Sequence, residues 1–200
     1  MNFLAHLFLS GNNADVKIGN FIGDHVKGKD YERYPPNVQK GILLHRQIDW
    51  FTDRHPITKQ GAERLKIAYG RYAGVVLDVF YDHFLAVNWN MFTAQPLHEF
   101  ASSTYGLLAR RYFALPRDVR SFVPFLIMNR RLESYARKDG LARALSIMAD
   151  YTSMPNNVHL AMQVLEAHYT EFNREFLDFW KELSAEVDRY LKELNERDTF

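Results

Sequence analysis

The chain has 200 residues, enough for one domain with a sizeable core, and its net charge is only +1, so a broad nucleic-acid-binding surface is not expected. It has no cysteine, which excludes disulfides and thiolate metal sites and leaves His, Asp, Glu and water for any cation. The opening MNFLAHLFLSGNNADVK lacks a basic start and a small-residue cleavage site, and no segment reaches the ~18 uninterrupted apolar residues of a membrane span. A soluble cytoplasmic protein is therefore expected.

Helical spacing dominates, and no alternating β-branched run is bounded by hairpin turns. Asn2–Ser10 reads as a first helix, closed by Gly11-Asn12-Asn13. A second runs from Ala14 or Asp15 to Val26 and stops at Gly28. After the Pro35-Pro36 loop, with Asn37 as N-cap, Val38–Asp53 is a third. Thr58–Trp89 is a long fourth, with a kink expected near Gly70 or Gly74. Pro96 opens a fifth to Phe113. Pro116 opens a sixth through Asn129, with a bend or break at Pro124. Leu141–Tyr151 is a seventh, and Asn157–Leu194 an amphipathic eighth. The fold class is all-α, a single-domain irregular bundle over residues 1–200.

Gly74–Trp89 is the most apolar stretch and carries Asp78, Asp82 and His83. Asp78 and Asp82 are four apart and stack on one helix face. Two readings stand: half of a divalent-metal site, or a buried helix whose acids pair with arginines. In the third helix His45 and Asp49 fall on the apolar stripe, again four apart, as hydrogen-bonded core residues or as ligands. In GNFIGDHVKG, Asn20 and Asp24 are four apart between Gly19 and Gly23, glycines that admit close approach of another helix or of a ligand. His6 lies among apolar residues of the first helix, and His168 lies within the last. Mixed His/Asp ligation suits Mn²⁺, Fe²⁺ or Mg²⁺, with Zn²⁺ also admissible.

Charge is uneven. Arg110–Arg143 holds nine basic residues against three acidic, while Glu166–Phe200 holds ten acidic against five basic. The basic segment reads as a docking face for an acidic partner, or as a solvated helix surface.

The blocks MNFLAHLFLS, GNFIGDHVKG, RYPPNVQKGILLHRQIDWFTD and LDVFYDHFL resemble, in order, the acyl carrier protein phosphodiesterase family, also called acyl carrier protein hydrolase. Weaker similarity continues through LESYARKDGL and EAHYTEF. The resemblance implies a helical cytoplasmic protein distantly like HD-type metal phosphohydrolases, although the adjacent pair here is Asp82-His83 rather than His-Asp. It implies Mn²⁺-dependent hydrolysis of the phosphodiester between 4′-phosphopantetheine and a serine of holo-acyl carrier protein. By motif it points to His6, Asn20, Asp24, His45, Asp49, Asp78, Asp82 and His83. We expect His45, Asp49, Asp82 and His83 as metal ligands, and Asp24 and Asp78 as further ligands or the base that orients water. His6 or His168 would protonate the leaving serine oxygen, and Asn20 would hold a phosphate oxygen or a water. Arg130 and Arg131 would steer the acidic carrier. The competing readings are another metal-dependent phosphohydrolase, acting on a nucleotide or small phosphoester, and a non-catalytic helical module that binds a carrier protein.

Overall fold

A computed structural model describes residues 1–197, and those residues contain helices and connecting turns with no strand. The expected domain of 1–200 extends past them, so residues 198–200 lie outside the described residues. In chain order the helices are α1 (Phe3–Leu9), α2 (Ala14–Ile22), α3 (Pro36–Arg54), α4 (Pro56–Glu63), α5 (Lys66–Tyr69), α6 (Ala73–Val87), α7 (Leu97–Arg110), α8 (Arg117–Met128), α9 (Arg131–Ser134), α10 (Lys138–Tyr151), α11 (Val158–Ala167) and α12 (Tyr169–Arg197). No helix among the described residues is long and apolar enough to cross a membrane.

The core forms around α6. Val76, Val79, Phe80, Tyr81, Phe84 and Leu85 are all fully buried there. Phe172, Phe176 and Phe179 of α12 pack onto them edge-to-face and tilted, at ring separations of 5.4–5.5 Å for the closest pairs. Offset and edge-on rings are the preferred aromatic geometry, so the α6–α12 contact is specific as well as apolar.

The N-terminal helices start where their sequence provides a cap. The Asn2 side chain accepts the Phe3 amide, and the Asn13 side chain accepts the Asp15 and Val16 amides. The third helix departs from expectation by beginning at Pro36. Pro35 is its N-cap and Asn37 lies inside, because a proline at the first helical position costs no hydrogen bond. The second helix ends earlier than expected, at Ile22, and tightens into a 3₁₀ turn over Gly23–His25.

Two long helices of the sequence reading are broken. Thr58–Trp89 is three segments, α4, α5 and α6, and the break after α5 falls at Gly70, whose φ of 52° only glycine adopts readily. Asn157–Leu194 is two, α11 and α12, which meet at His168. Pro124 breaks nothing: it sits on the exposed side of α8 and the helix continues to Met128.

Helices α2 and α3 lie against each other with almost no side chain between them. A Cβ added at Gly19 would fall 2.1 Å from the Val38 carbonyl oxygen, and one at Gly41 would fall 2.1 Å from that of Val16. These glycines therefore fix how near the two backbones come. That distance sets the position of everything the two helices carry on their shared end.

Candidate metal centre

Four of the expected site residues meet where α1, α2 and α3 converge. Asp49, one turn after His45 on α3, lies between two imidazoles. Its Oδ1 is 3.1 Å from His6 Nε2 and its Oδ2 is 3.1 Å from His45 Nε2. The two rings stack at 4.1 Å. Asp24 reaches in from the 3₁₀ turn after α2, with Oδ1 3.2 Å from His45 Nε2. His6 and His45 are buried, and Asp49 is partly exposed.

Asn20 holds both rings. The His45 Nδ1–H donates to the Asn20 backbone carbonyl at 2.8 Å. The Asn20 side-chain nitrogen donates to the His6 carbonyl and to Ser10 Oγ. That turns its Oδ1 toward His6 Nδ1, 2.8 Å away, so Nδ1 is the donor there too. In the neutral form both rings then keep the proton on Nδ1 and leave the Nε2 lone pair facing Asp49. A second partner that fixes tautomer and orientation is the usual support of a metal-binding histidine. It also corrects one expectation. Asn20 is fully buried with its side-chain polar atoms engaged, so it positions the imidazoles and does not reach a phosphate.

The electrostatics favour positive charge at the rings, which a proton on His45 or a bound cation would supply. His6 Nε2 also lies 3.2 Å from the Met1 carbonyl, so it faces two acceptor oxygens. His45 Nε2 is buried, and neither nearby carboxylate oxygen lies in line to accept a proton from it. Burial would lower the His45 pKa, but Asp24 and Asp49 outweigh it and raise it to about 9. Burial, helped by the charges of His45 and the Met1 amino group, keeps the His6 pKa low against the pull of Asp49. Asp49 is itself held well below the usual carboxylate range, as the two imidazoles and the Met1 ammonium at its oxygens overcome its burial. His6, His45 and Asp49 each place a ligand atom within 4.8 Å of the others, a spacing one divalent ion can span. The donor set of two imidazoles and one or two carboxylates fits Mn²⁺, Fe²⁺ or Zn²⁺.

Asp78 of α6 borders the same cavity. Its Oδ1 is 3.2 Å from the Met1 amino nitrogen, and burial pushes its carboxyl up to about 6. The cavity has a volume of about 940 Å³ and is lined also by Phe3, Phe122, Phe125 and Tyr151.

The remaining expected residues lie elsewhere. Asp82 does not reach the cluster. Both its oxygens accept backbone amides of α1, from Leu4 at 2.7 Å and Ala5 at 3.1 Å. A carboxylate on the first turn of a helix satisfies donors that the helix cannot. His83 points to another face of α6, with Nδ1–H donating to the Tyr135 carbonyl at 2.7 Å and Nε2 3.0 Å from the Tyr169 hydroxyl. His168 is half exposed at the α11–α12 junction, 3.7 Å from Glu171, and does not line the cavity. Arg130 is exposed and pairs with Glu133. Arg131 is buried and lines the cavity, so it is not part of a docking face. The sequence reading missed the position of Arg131. Its only local signal is Tyr135, one turn later on the other side of Leu132.

A family model described as acyl carrier protein phosphodiesterase matches residues 1–183. The chain belongs to the acyl carrier protein phosphodiesterase family. A relative of that name from Enterobacter sp. (strain 638) is 33% identical over 191 residues, which cover 94% of this chain and 97% of the relative. One from Salmonella paratyphi A is 30% identical, covering 94% and 98%, and one from Yersinia pestis is 31% identical, covering 90% and 94%. No solved structure matches, so the likeness to HD-type phosphohydrolases expected from the family gains no structural neighbour. The sequence expectations of family and all-helical fold are borne out.

Proposed function

We propose that the chain is a cytoplasmic, metal-dependent phosphodiesterase that hydrolyses the bond between 4′-phosphopantetheine and the serine of holo-acyl carrier protein, leaving the apo-protein. Membership of the family supports the substrate. The observation that carries the metal dependence is the carboxylate of Asp49 shared between two inward-facing Nε2 atoms whose Nδ1 protons are both committed to Asn20. His6, His45 and Asp49 would hold the cation, with Asp24 completing the set from the rim. Mn²⁺ is the first candidate, and Mg²⁺, Fe²⁺ and Zn²⁺ are the others.

Such a cation would lower the pKa of a water and draw charge from a phosphoryl oxygen. The protein's own groups do the rest. Asn20 keeps both imidazoles in the ligating tautomer. Asp24, the most exposed carboxylate of the group, orients the attacking water. Asp78 replaces His6 and His168 as the proton donor to the departing serine oxygen: burial pushes its carboxyl up to about 6 against the Met1 ammonium, closer to neutrality than an ordinary aspartate. The cavity's apolar wall excludes bulk water around the reacting centre.

The acidic carrier would dock on the basic face. Arg130, Arg137 and Arg143 line a separate surface recess of about 490 Å³, together with His98 and the exposed Met128. Exposed cations beside an apolar contact suit an acidic amphipathic partner, and association through them weakens as salt screens the charges.

Incubation of holo-carrier protein with the full chain and Mn²⁺, followed by intact-mass measurement, tests the proposal. Loss of the phosphopantetheine group from the carrier is expected. An unchanged carrier mass beside turnover of a nucleotide panel under the same conditions would assign the site to another phosphoester.

A further inference from the structure

In the cavity that the imidazoles line, one cation stands without a counter-charge. Arg131 is the only lysine or arginine among the described lining residues, in a cavity otherwise bordered by Asp24, Asp49, Asp53, Asp78 and Asp118. Its residue is 5% exposed, and its Nε has no hydrogen-bond partner. No carboxylate among the described residues pairs with it. A guanidinium is costly to bury unpaired, and it is the side chain best shaped to grip two oxygens of a phosphate at once.

The backbone places it there deliberately. Arg130 adopts φ 45° and ψ 49°, the one non-glycine residue among those described with positive φ. That conformation costs a side-chain-bearing residue about 1–2 kcal/mol. It turns the chain between α8 and α9 so that successive arginines point opposite ways: Arg130 outward onto Glu133, Arg131 inward over the Tyr135 ring at 5.3 Å. The turn is then locked. The Leu132 amide donates to the Tyr105 hydroxyl at 2.9 Å, and the Tyr105 hydroxyl donates to Glu133. Tyr135 is held in turn from α1, where the Asn2 side-chain nitrogen donates to its hydroxyl at 3.2 Å. The helix that bears the metal-facing His6 therefore also braces the arginine's platform.

We infer that Arg131 is the anion-holding group of this site, taking the non-bridging oxygens of the phosphodiester while the His6–His45–Asp49 cluster lies on the other side of the phosphorus. This rests on the phosphodiesterase reading. It divides the labour within the cavity: the bordering aspartates would repel a phosphodiester, the Met1 ammonium is already engaged by Asp78 and Asp49, and Arg131 supplies the unpaired positive charge that admits one.

The test uses inorganic phosphate as the probe, titrated calorimetrically into the Mn²⁺-loaded full chain and read alongside kinetics on holo-carrier protein. Arg131→Met is expected to weaken phosphate binding at least about tenfold, the loss of a charge-assisted bidentate contact. Metal content should stay unchanged. Arg131→Lys keeps the charge without the fork and should recover part of the loss in both phosphate affinity and kcat/KM. If Arg131→Met misfolds, the lysine variant decides the matter, since it must bind phosphate more weakly than the wild type. The inference is overturned if the folded methionine variant, or the lysine variant, binds phosphate as tightly as the wild type, or if the wild type binds none. Arg131-dependent phosphate binding without loss of phosphopantetheine from the carrier would uphold the anion site and remove the proposed substrate.

Discussion

Two Asp–His pairs on two buried helices meet opposite fates. His45 and Asp49 on α3 are four residues apart and share one target. Asp82 and His83 on α6 are adjacent, and they serve different neighbours: the first turn of α1 in one case, the Tyr135 carbonyl and Tyr169 hydroxyl in the other. The difference is one of helical geometry. Neighbouring residues diverge by about 100° around a helix, and on α6 that divergence sends Asp82 and His83 to different elements, whereas residues one turn apart on α3 project from one face. The α6 pair is buried with its polar atoms paired to backbone and hydroxyl groups, whereas the α3 pair leaves His45 Nε2 without a hydrogen-bond partner beside a partly exposed carboxylate. The α6 pair fastens elements around the cavity, and the α3 pair is the one the proposed chemistry uses.

The comparison breaks most sharply at Asp49. Asp49→Ala should abolish stoichiometric metal binding and lower turnover at least about 10²-fold, as measured by elemental analysis and carrier-mass kinetics. His83→Gln should retain metal in full. Equal metal loss in the two variants would erase the distinction drawn between the pairs.

Gly23→Ala comes next. Its Cβ would fall 2.3 Å from the His45 ring, while at Gly74 nothing lies within 4 Å. The first substitution should cost about 10–100-fold in metal affinity by tilting a ligand, and the second should cost none. A competitive chelator titration reads both.

Asp82 sharpens the structural side. Asp82→Ala leaves two buried amides of α1 without a partner and should lower unfolding stability by about 3 kcal/mol, seen in urea titration of the metal-free chain. Asp82→Asn keeps one acceptor and should lose less.

The smallest effect is a pH dependence at His83. Burial lowers its pKa, against the opposing hydrogen bond to the Tyr135 carbonyl. A histidine whose folded pKa lies below its unfolded value of about 6.5 contributes stability above that pH. The contribution disappears as pH falls through the lowered folded pKa. His83→Gln should therefore flatten the acid limb of a plot of melting temperature against pH below about 6.5 and leave the region above it parallel to the wild type.

Much of the fold could be read from the chain because helix signals are local. The caps at Asn2 and Asn13, the stripe through Val38, Gly41, Ile42, His45 and Asp49, and the apolar run of α6 all depend on spacing alone. The family motifs put His6, Asp24, His45 and Asp49 among the candidates, but they put Asp82 and His83 there too, and spacing along single helices does not tell which helices converge. The misplacements were tertiary. Nothing near Asp82 in sequence announces that α1, some eighty residues earlier, presents two free amides to it. Arg131 reads as one more cation in a basic run until the left-handed turn at Arg130 sends it inward. The break at Gly70 falls at a glycine where a kink is expected, whereas the periodic pattern runs through the break at His168 without a mark.

The seam where Gly19 meets Gly41 has an evolutionary consequence. Two main chains in direct touch have no compliant layer between them, so the imidazole-bearing side of the cleft cannot be retuned by nearby replacements without dislodging the ligands. Variation in which molecule is admitted arises more easily at the exposed Tyr151 on the cavity wall than at Phe122, which stacks on Phe3 of α1.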